Sequence, residues 1–266
     1  MSRPWNPSPA LKASAVLHGA AALGTALLPA AWPWALGAVA ANHAALTAAG
    51  LWPRSQLLGS NWVRLPEASQ ARREVAITID DGPDPEVTPR VLDLLDAAGA
   101  QATFFCIGRR ARAAPALCRE IVARGHRVEN HGDAHSNAFS VFGPARMRAD
   151  IAAAQATLTE LSGQAPLFFR ATAGLRNPLL EPVLAGLDLQ LAAWTRRPFD
   201  TRTGDPNRVL RRLTRGLGAG DILLMHDGHA ARTPQGDAVI LAMLPLLLRA
   251  IHEAGLKPVT LQGALP

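Results

Sequence analysis

Residues 75–83, with the sequence VAITIDDGP, join an apolar run of strand-forming residues to two carboxylates and a Gly-Pro turn signal. Neighbouring side chains on a strand point to opposite faces, but at the carboxyl end of a strand the chain turns. Asp80 and Asp81 can therefore converge on one cavity. One of them can bind a cation while the other stays free to accept a proton.

Two histidines follow in the segment HGDAH at residues 131–135. Two imidazoles and one carboxylate make a three-ligand metal site with coordination positions left open for water and substrate. Taken alone, Asp-Asp-Gly-Pro is a common turn sequence, and His131 and His135 are of a type often found on surfaces. Their joint occurrence with polar residues at other strand ends favours a metal site over these plainer interpretations.

Short apolar runs alternate with longer amphipathic segments from residue 75 onward. This alternation predicts parallel strands joined by right-handed helical crossovers, and about 190 residues suffice to close a small barrel. The predicted strands are 75–79, 102–107, 126–130, 167–169, 189–194, 221–225 and 258–261, and the predicted helices include 86–98, 110–123, 144–161, 206–217 and 237–254. Polar residues after these strands would face one mouth of the barrel, namely Asp80, Asp81, His131, Arg170, Asp200 and His226.

Five motifs occur in the order found in the polysaccharide deacetylases of carbohydrate esterase family 4, which share the nodulation-type chitooligosaccharide deacetylase domain. They are TIDDGP at 78–83, NHGDAH at 130–135, FRATAG at 169–174, the segment 194–200, and LLMHD at 223–227. The chain resembles this family over roughly residues 74–261. The resemblance implies an α/β fold, an incomplete seven-stranded (β/α) barrel.

The resemblance also implies a reaction. A divalent metal would be held by Asp81, His131 and His135, with zinc as the first choice and cobalt, nickel or manganese as alternatives. Asp80 would be the general base that completes formation of the nucleophile from a water activated by the cation. His226 would be the general acid that protonates the amine leaving group, because an imidazole suits that role near neutral pH.

Two positioning roles and three substrate contacts follow from the same motifs. Arg170 resembles the residue that holds the base, and Asp200 the carboxylate that orients the acid histidine. Charge pairing with these neighbours would keep the base ionised and the acid protonated. The residues expected to contact substrate are Gly174, Trp194 and Leu224.

The chain departs from the family pattern around the substrate groove. Arg197 stands at a position that is usually acidic, and Thr201 at one that is usually aromatic. Residues 171–173 replace a proline and an aromatic residue that many members carry. These changes alter the groove wall and leave the metal chemistry intact. Three histidines without a matching motif are expected to be structural or solvated, namely His126, His229 and His252.

Residues 13–53 contain no Asp, Glu, Lys or Arg, which makes them a membrane candidate. Their length allows two spans of roughly 20 residues with a turn at 29–33, or one span and an interfacial segment. A secretory signal with residues 13–28 as its apolar region is the competing interpretation. His18 and His43 in this segment have no matched partner and are expected to be packing or interface residues.

The chain accordingly divides into a membrane segment of one or two helices at 1–53, a linker at 54–73, and a catalytic domain at 74–266. The net charge of +6 and pI of about 10.8 do not indicate a nucleic-acid partner. Residues 1–64 hold four bases and no acid, so the remaining 23 bases and 21 acids leave only +2. Cys106 and Cys118 imply no disulfide framework.

Basic residues flank both ends of the uncharged segment, including Arg3, Lys12 and Arg54. The positive-inside rule then favours a hairpin in a bacterial-type inner membrane, with the catalytic domain in the cytoplasm. The periplasmic alternative stays open.

The leading functional hypothesis is a membrane-attached, metal-dependent hydrolase that removes an N-acyl group, with acetyl as first choice, from an amino sugar in a glycan or glycolipid. One alternative is a deacetylase or deformylase of a lipid-linked sugar at the inner-membrane leaflet. Another, from a different class, is a catalytically silent glycan-binding scaffold. Retention of every proposed ligand, base and acid argues against the silent alternative.

Overall fold

The computed structural model describes residues 4–265, so the flanking base Arg3 lies outside the described residues. Seven parallel strands form one sheet in the order β5-β4-β3-β2-β1-β6, with β7 paired to β1. The strands are β1 Glu74–Asp80, β2 Thr103–Cys106, β3 Arg127–Asn130, β4 Phe168–Phe169, β5 Gln190–Leu191, β6 Ile222–His226 and β7 Lys257–Val259. Each overlaps a predicted strand, and the predicted incomplete barrel is confirmed.

The central strand β1 is buried along its whole length, as its unbroken apolar run predicts. It pairs with β2 and β6, and its first residues pair with β7. The register places Asp80 opposite Phe105 on one side and opposite His226 on the other. Polar residues at the ends of neighbouring strands therefore meet at one rim.

The described residues form ten α-helices, of which those from residue 88 onward bury apolar side chains in the core around the sheet. They are α1 Pro9–Leu27, α2 Trp32–Leu51, α3 Glu67–Ala71, α4 Thr88–Ala97, α5 Gly108–Ala113, α6 Pro115–Ala123, α7 Pro144–Ser162, α8 Leu180–Gly186, α9 Pro206–Thr214 and α10 Val239–Glu253. The predicted helix 110–123 is two helices, because Pro115 cannot continue the hydrogen bonding of α5 and begins α6 instead. The short helices α3 and α8 were not predicted.

The barrel has a gap between β5 and β6, and neighbouring chain segments close it. The Trp62 N–H donates to the Leu191 carbonyl at 2.9 Å, and the Thr195 N–H donates to the Ile222 carbonyl at 2.9 Å. These bridges satisfy the edges of both strands. The predicted linker 54–73 is therefore packed on the barrel, with Leu58 and Leu65 buried, and is not a free connection.

Helices α1 and α2 form an antiparallel hairpin joined by one turn of 3₁₀ helix at Pro29–Ala31, where the sequence predicted the turn. Within residues 4–265, α1 is the helix that is long and apolar enough to cross a membrane. The polar residues Asn42 and His43 of α2 both face α1. Asn42 Nδ2 donates to Ser14 Oγ at 2.8 Å, and His18 Nε2 lies 3.1 Å from His43 Nε2. The two histidines are therefore each other's partners.

Candidate active site

The backbone turns sharply at the end of β1, and this turn brings two successive carboxylates to one side. Asp80 is the last strand residue, and Asp81 has a φ of 76°, in the left-handed region. That conformation breaks the alternation that would send the two side chains to opposite faces. Both line the same cleft, as the sequence predicted.

Three acceptor-rich side chains converge beside this turn. Asp81 Oδ1 lies 3.2 Å from His131 Nε2 and 3.0 Å from His135 Nε2. One ligand atom from each residue lies within 4.8 Å of the other two. His131 Nδ1 lies 2.8 Å from the carbonyl oxygen of Arg170, which can only accept, so Nδ1 carries a hydrogen and Nε2 of the neutral ring presents a lone pair.

A carboxylate and two imidazole lone pairs at this spacing repel one another unless a cation or protons lie between them. Among the described residues, Asp81 Oδ1 is buried and has no hydrogen-bond donor when the two rings are neutral. Burial opposes charge on both Asp81 and His131. At Asp81, hydrogen bonds from three histidines outweigh burial and hold the pKa of the carboxyl well below its usual range. At His131, the carboxylates of Asp80 and Asp81 outweigh burial and raise the pKa of the ring. A divalent cation would replace those protons, so the donor set fits a metal.

Arg170 fixes the other carboxylate. Its side chain is fully buried, and Nη1 donates to Asp80 Oδ1 at 2.6 Å and to Thr78 Oγ1 at 2.8 Å. Nε donates to the carbonyl of Ala192 and Nη2 to that of Ala193, so every nitrogen of the guanidinium donates a hydrogen bond. Asp80 Oδ2 is left facing the metal group, 3.8 Å from His131 Nε2. The contact has the geometry expected of a group that holds a base.

His226 lies across the cleft, at the end of β6. Its Nδ1 is 2.8 Å from Asp200 Oδ1, and its backbone N–H donates to Asp200 Oδ2 at 2.8 Å. Burial opposes a charge on His226, but the carboxylate of Asp200, with Asp80 and Asp81 beyond it, outweighs that cost and raises the pKa to about 9. The imidazole is therefore protonated at neutral pH and can give up a proton from Nε2.

The cleft between these groups has a volume of about 130 Å³. All three residues predicted to contact substrate line it. Gly174 has a φ of 74° and lies so close to the Trp194 ring that a Cβ would overlap it, while Leu224 comes from β6. Thr172 lines the cleft too, within the segment 171–173 that the sequence placed in the groove wall, whereas Asn137 was not predicted.

Arg197 also lines the cleft, at the position where the family pattern is usually acidic. Its guanidinium carbon lies 5.3 Å from the ring centre of Trp194 and 5.0 Å from that of Phe199. Burial lowers the pKa of this guanidinium, which nevertheless stays charged. The wall that the sequence marked as altered is therefore cationic.

His229, expected to be structural or solvated, is half exposed and lies against the metal-ligand group. Its Nδ1 lies 3.0 Å from Asp81 Oδ2, and Arg110 Nη2 lies 3.2 Å from its Nε2. Since the guanidinium can only donate, Nε2 accepts and Nδ1–H donates to the carboxylate. His229 thus fixes the oxygen of Asp81 that faces away from His131. The one available signal was its position two residues after the fifth motif.

The sequence pattern of the polysaccharide deacetylase family matches residues 67–192. A peptidoglycan-N-acetylglucosamine deacetylase of Bacillus cereus is 34% identical over 201 residues, which cover 75% of this chain and 91% of that protein. A chitooligosaccharide deacetylase of a Bradyrhizobium species is 34% identical over 158 residues, covering 59% of this chain and 72% of the relative.

A solved structure agrees with these sequence relatives. It is a peptidoglycan N-acetylglucosamine deacetylase in complex with 4-naphthalen-1-yl-N-oxidanyl-benzamide, with a TM-score of 0.69 and 26% identity over 77% of this chain and 92% of that one. Sequence and fold together therefore assign this chain to the polysaccharide deacetylase family, as a hydrolase of the carbohydrate deacetylase class.

Proposed function

We propose that this protein hydrolyses the N-acetyl group of an amino sugar with the help of a divalent cation, zinc being the first choice. The observation that carries the proposal is the group formed by Asp81, His131 and His135. When both imidazole rings are neutral, their lone pairs and the buried carboxylate oxygen of Asp81 face one another, and no hydrogen-bond donor lies between them. When bound there, the cation would lower the pKa of a water and polarise the acetyl carbonyl. The named relatives act on N-acetylated sugars, which supports the choice of substrate.

The protein's own groups divide the proton transfers between two sides of the cleft. Asp80, held by Arg170, is positioned to accept a proton from the attacking water. His226, protonated and held by Asp200, is positioned to donate a proton to the departing amine. An amine leaves poorly as an anion, so this second transfer accompanies breakage of the carbon–nitrogen bond.

The protein is attached to a membrane through α1 and α2, in this proposal. Both helices carry apolar side chains on their outer surface, and Leu23, Trp34 and Leu36 are among the exposed ones. Large exposed apolar surface is costly in water and favourable in a bilayer. The basic residues at both ends of the segment favour a cytoplasmic catalytic domain. A reporter fused after the last residue would test that side, and a periplasmic signal would contradict it.

Acetate release from tetra-N-acetylchitotetraose is the direct test of the activity. The full-length protein in detergent is stripped of metal and supplied with zinc, cobalt, nickel or manganese. Turnover that depends on the cation supports the proposal. No turnover with any of the four would instead favour a silent glycan-binding scaffold.

Two variants separate the roles of the paired carboxylates. Asp81→Ala is expected to lose bound metal and activity together, whereas Asp80→Asn keeps the metal and loses turnover. Metal content is measured by mass spectrometry on the purified proteins. Equal loss of metal in both would mean that the two carboxylates are assigned the wrong way round.

The acid is tested in the same assay. His226→Ala should retain the metal and lower kcat by about a hundredfold or more, the usual contribution of a general acid. An unchanged kcat would move the search for the acid to another residue.

A further inference from the structure

An apolar cavity of about 590 Å³ lies where the N-terminal hairpin meets the catalytic domain. The two helices contribute Leu11, Leu46 and Leu51 to its wall, and two loops of the domain contribute Val141 and Leu179. Its volume is within the range of about 300–1,000 Å³ that small-ligand sites occupy. Val141 is 79% exposed and Leu51 57%, so the apolar wall continues onto the outer surface.

The two domain loops of this cavity also line the catalytic cleft. Residues 171–174 line the cleft and residues 176–179 line the cavity, while Asn137 lines the cleft and Ser140 the cavity. The loops are tied together, because Asn177 Nδ2 donates to the Ser140 carbonyl at 2.9 Å. The cavity and the cleft are therefore neighbours on either side of the same loops.

The hairpin is fixed against this loop pair. The Arg176 N–H donates to the Gly50 carbonyl at 3.1 Å, and a Cβ at Gly50 would overlap the Arg176 carbonyl. Ser8 Oγ donates to the Leu57 carbonyl at 2.6 Å, which fastens the start of α1 to the segment after α2. These contacts set the distance between the membrane-facing helices and the cleft.

A buried cation lies on the cavity wall. Arg176 is only 4% exposed, and its Nη2 donates to the Ser55 carbonyl. Its Nε has no hydrogen-bond partner among residues 4–265. Burial lowers the pKa of this guanidinium to about 10, against the opposing pull of the Glu181 carboxylate, so it stays protonated at neutral pH. A charged guanidinium beside an apolar cavity is suited to bind the phosphate of a lipid whose tail lies in that cavity.

We propose that this cavity takes the hydrocarbon tail of a lipid-linked N-acetyl amino sugar, with the connecting phosphate facing Arg176 and the sugar in the catalytic cleft. The inference deepens the proposed function and rests on it for the reaction. It explains why the apolar cavity adjoins the loops of the cleft and why its wall is made by the helices that face lipid.

The test uses the full-length protein in detergent micelles and two substrates. One is soluble tetra-N-acetylchitotetraose, and the other is N-acetylglucosamine joined through a diphosphate to a farnesyl chain. Leu46→Trp fills the cavity, and Leu36→Trp is the matched control, because the same substitution falls on an outward-facing, exposed residue of the same helix. We expect Leu46→Trp to raise KM for the farnesyl substrate about tenfold, because the bulkier side chain displaces part of the tail and a modest apolar contact is lost. KM for the soluble substrate should stay unchanged. Leu36→Trp should change neither.

A second variant tests the phosphate contact. Arg176→Gln should raise KM for the farnesyl diphosphate substrate and leave KM unchanged for a dodecyl glycoside of N-acetylglucosamine, which has a tail and no phosphate. Turnover of chitotetraose by the same preparation reports that the cleft is intact. An equal rise for both tailed substrates would refute the role of Arg176, and if the variant does not fold, the Leu46→Trp pair decides alone.

Binding is measured separately from activity. A farnesyl diphosphate sugar with a photoreactive tail should label α2 and the loop around Val141, and Leu46→Trp should abolish that labelling. Labelling elsewhere, an unaltered farnesyl KM in Leu46→Trp, or equal losses on both substrates would overturn the proposal. So would full displacement of the probe by a phospholipid without sugar, which would make the cavity a site for structural lipid. Absence of chitotetraose turnover would count against the deacetylase function alone, because the labelling needs no reaction.

Discussion

Replacing Asp200 by Asn should lower the pKa of His226 and shift the alkaline limb of the activity profile towards neutral pH. Asp200 holds both Nδ1 and the backbone N–H of His226 at 2.8 Å. The pKa of His226 is about 9 against 6.5 for an ordinary histidine, and Asp200 is the largest of the groups that raise it against burial. The amide has nearly the same shape, carries no charge and can accept from only one of the two donors. We expect about 2 pH units of the displacement to disappear, equivalent to roughly 3 kcal/mol.

The assay is kcat/KM for acetate release from neutral to alkaline pH, with the same cation throughout. The acid must be protonated to act, so activity falls as pH rises through its pKa, and that fall should begin about 2 units earlier in Asp200→Asn. Asp188→Asn is the control, because Asp188 is exposed, does not line the cleft, and has a φ of 57° that Asn tolerates. A lower rate with an unmoved alkaline limb would refute the reasoning.

The same substitution has a signature in stability. A histidine whose pKa is raised by folding stabilises the folded state fully below its unfolded pKa, and the contribution is lost as pH rises through the folded pKa. For His226 the window runs from 6.5 to about 9. In metal-free protein, the difference in unfolding free energy between wild type and Asp200→Asn should be largest below this window and should shrink across it.

Two further substitutions test neighbours of the metal group. His229→Ala should weaken cation binding about ten- to hundredfold in chelator competition, because it removes the donor 3.0 Å from Asp81 Oδ2, and excess cation should restore turnover; unchanged affinity would mean that the contact is incidental. Gly82→Ala should cost about 1–3 kcal/mol in urea unfolding, because the new Cβ would lie within 2.6 Å of both carboxylate oxygens of buried Asp227. Gly218→Ala, whose new Cβ would meet its nearest atom only at 4.0 Å, is its matched control and should be nearly neutral.

The order of strands and helices could be predicted from the sequence. A strand that is buried on both faces needs a continuous run of apolar residues, whereas a surface helix needs apolar residues along one side only, three or four positions apart. Polar residues mark the strand ends, so Asp80, Asp81, His131 and His226 could be named from the sequence as lining one cleft. Parallel strands share one direction, and residues at their carboxyl ends must meet at one rim.

Contacts between distant segments were not readable in this way. Nothing near His229 indicates that Arg110 fixes its tautomer, and nothing near Trp62 indicates that it pairs beside β5. The segment 54–73 looks polar and loop-like, yet it packs because the open edge of the barrel needs backbone partners.

The sequence by itself determined the alternating fold, the residue types of the candidate site and the apolar N-terminal segment, since each is encoded in local composition and in the spacing of apolar residues. Only the tertiary structure decided the left-handed turn at Asp81, the place of His229 beside it, and the apolar cavity between the hairpin and the cleft loops. Those features depend on how segments far apart in the chain pack together, and packing of that kind leaves no local pattern to read.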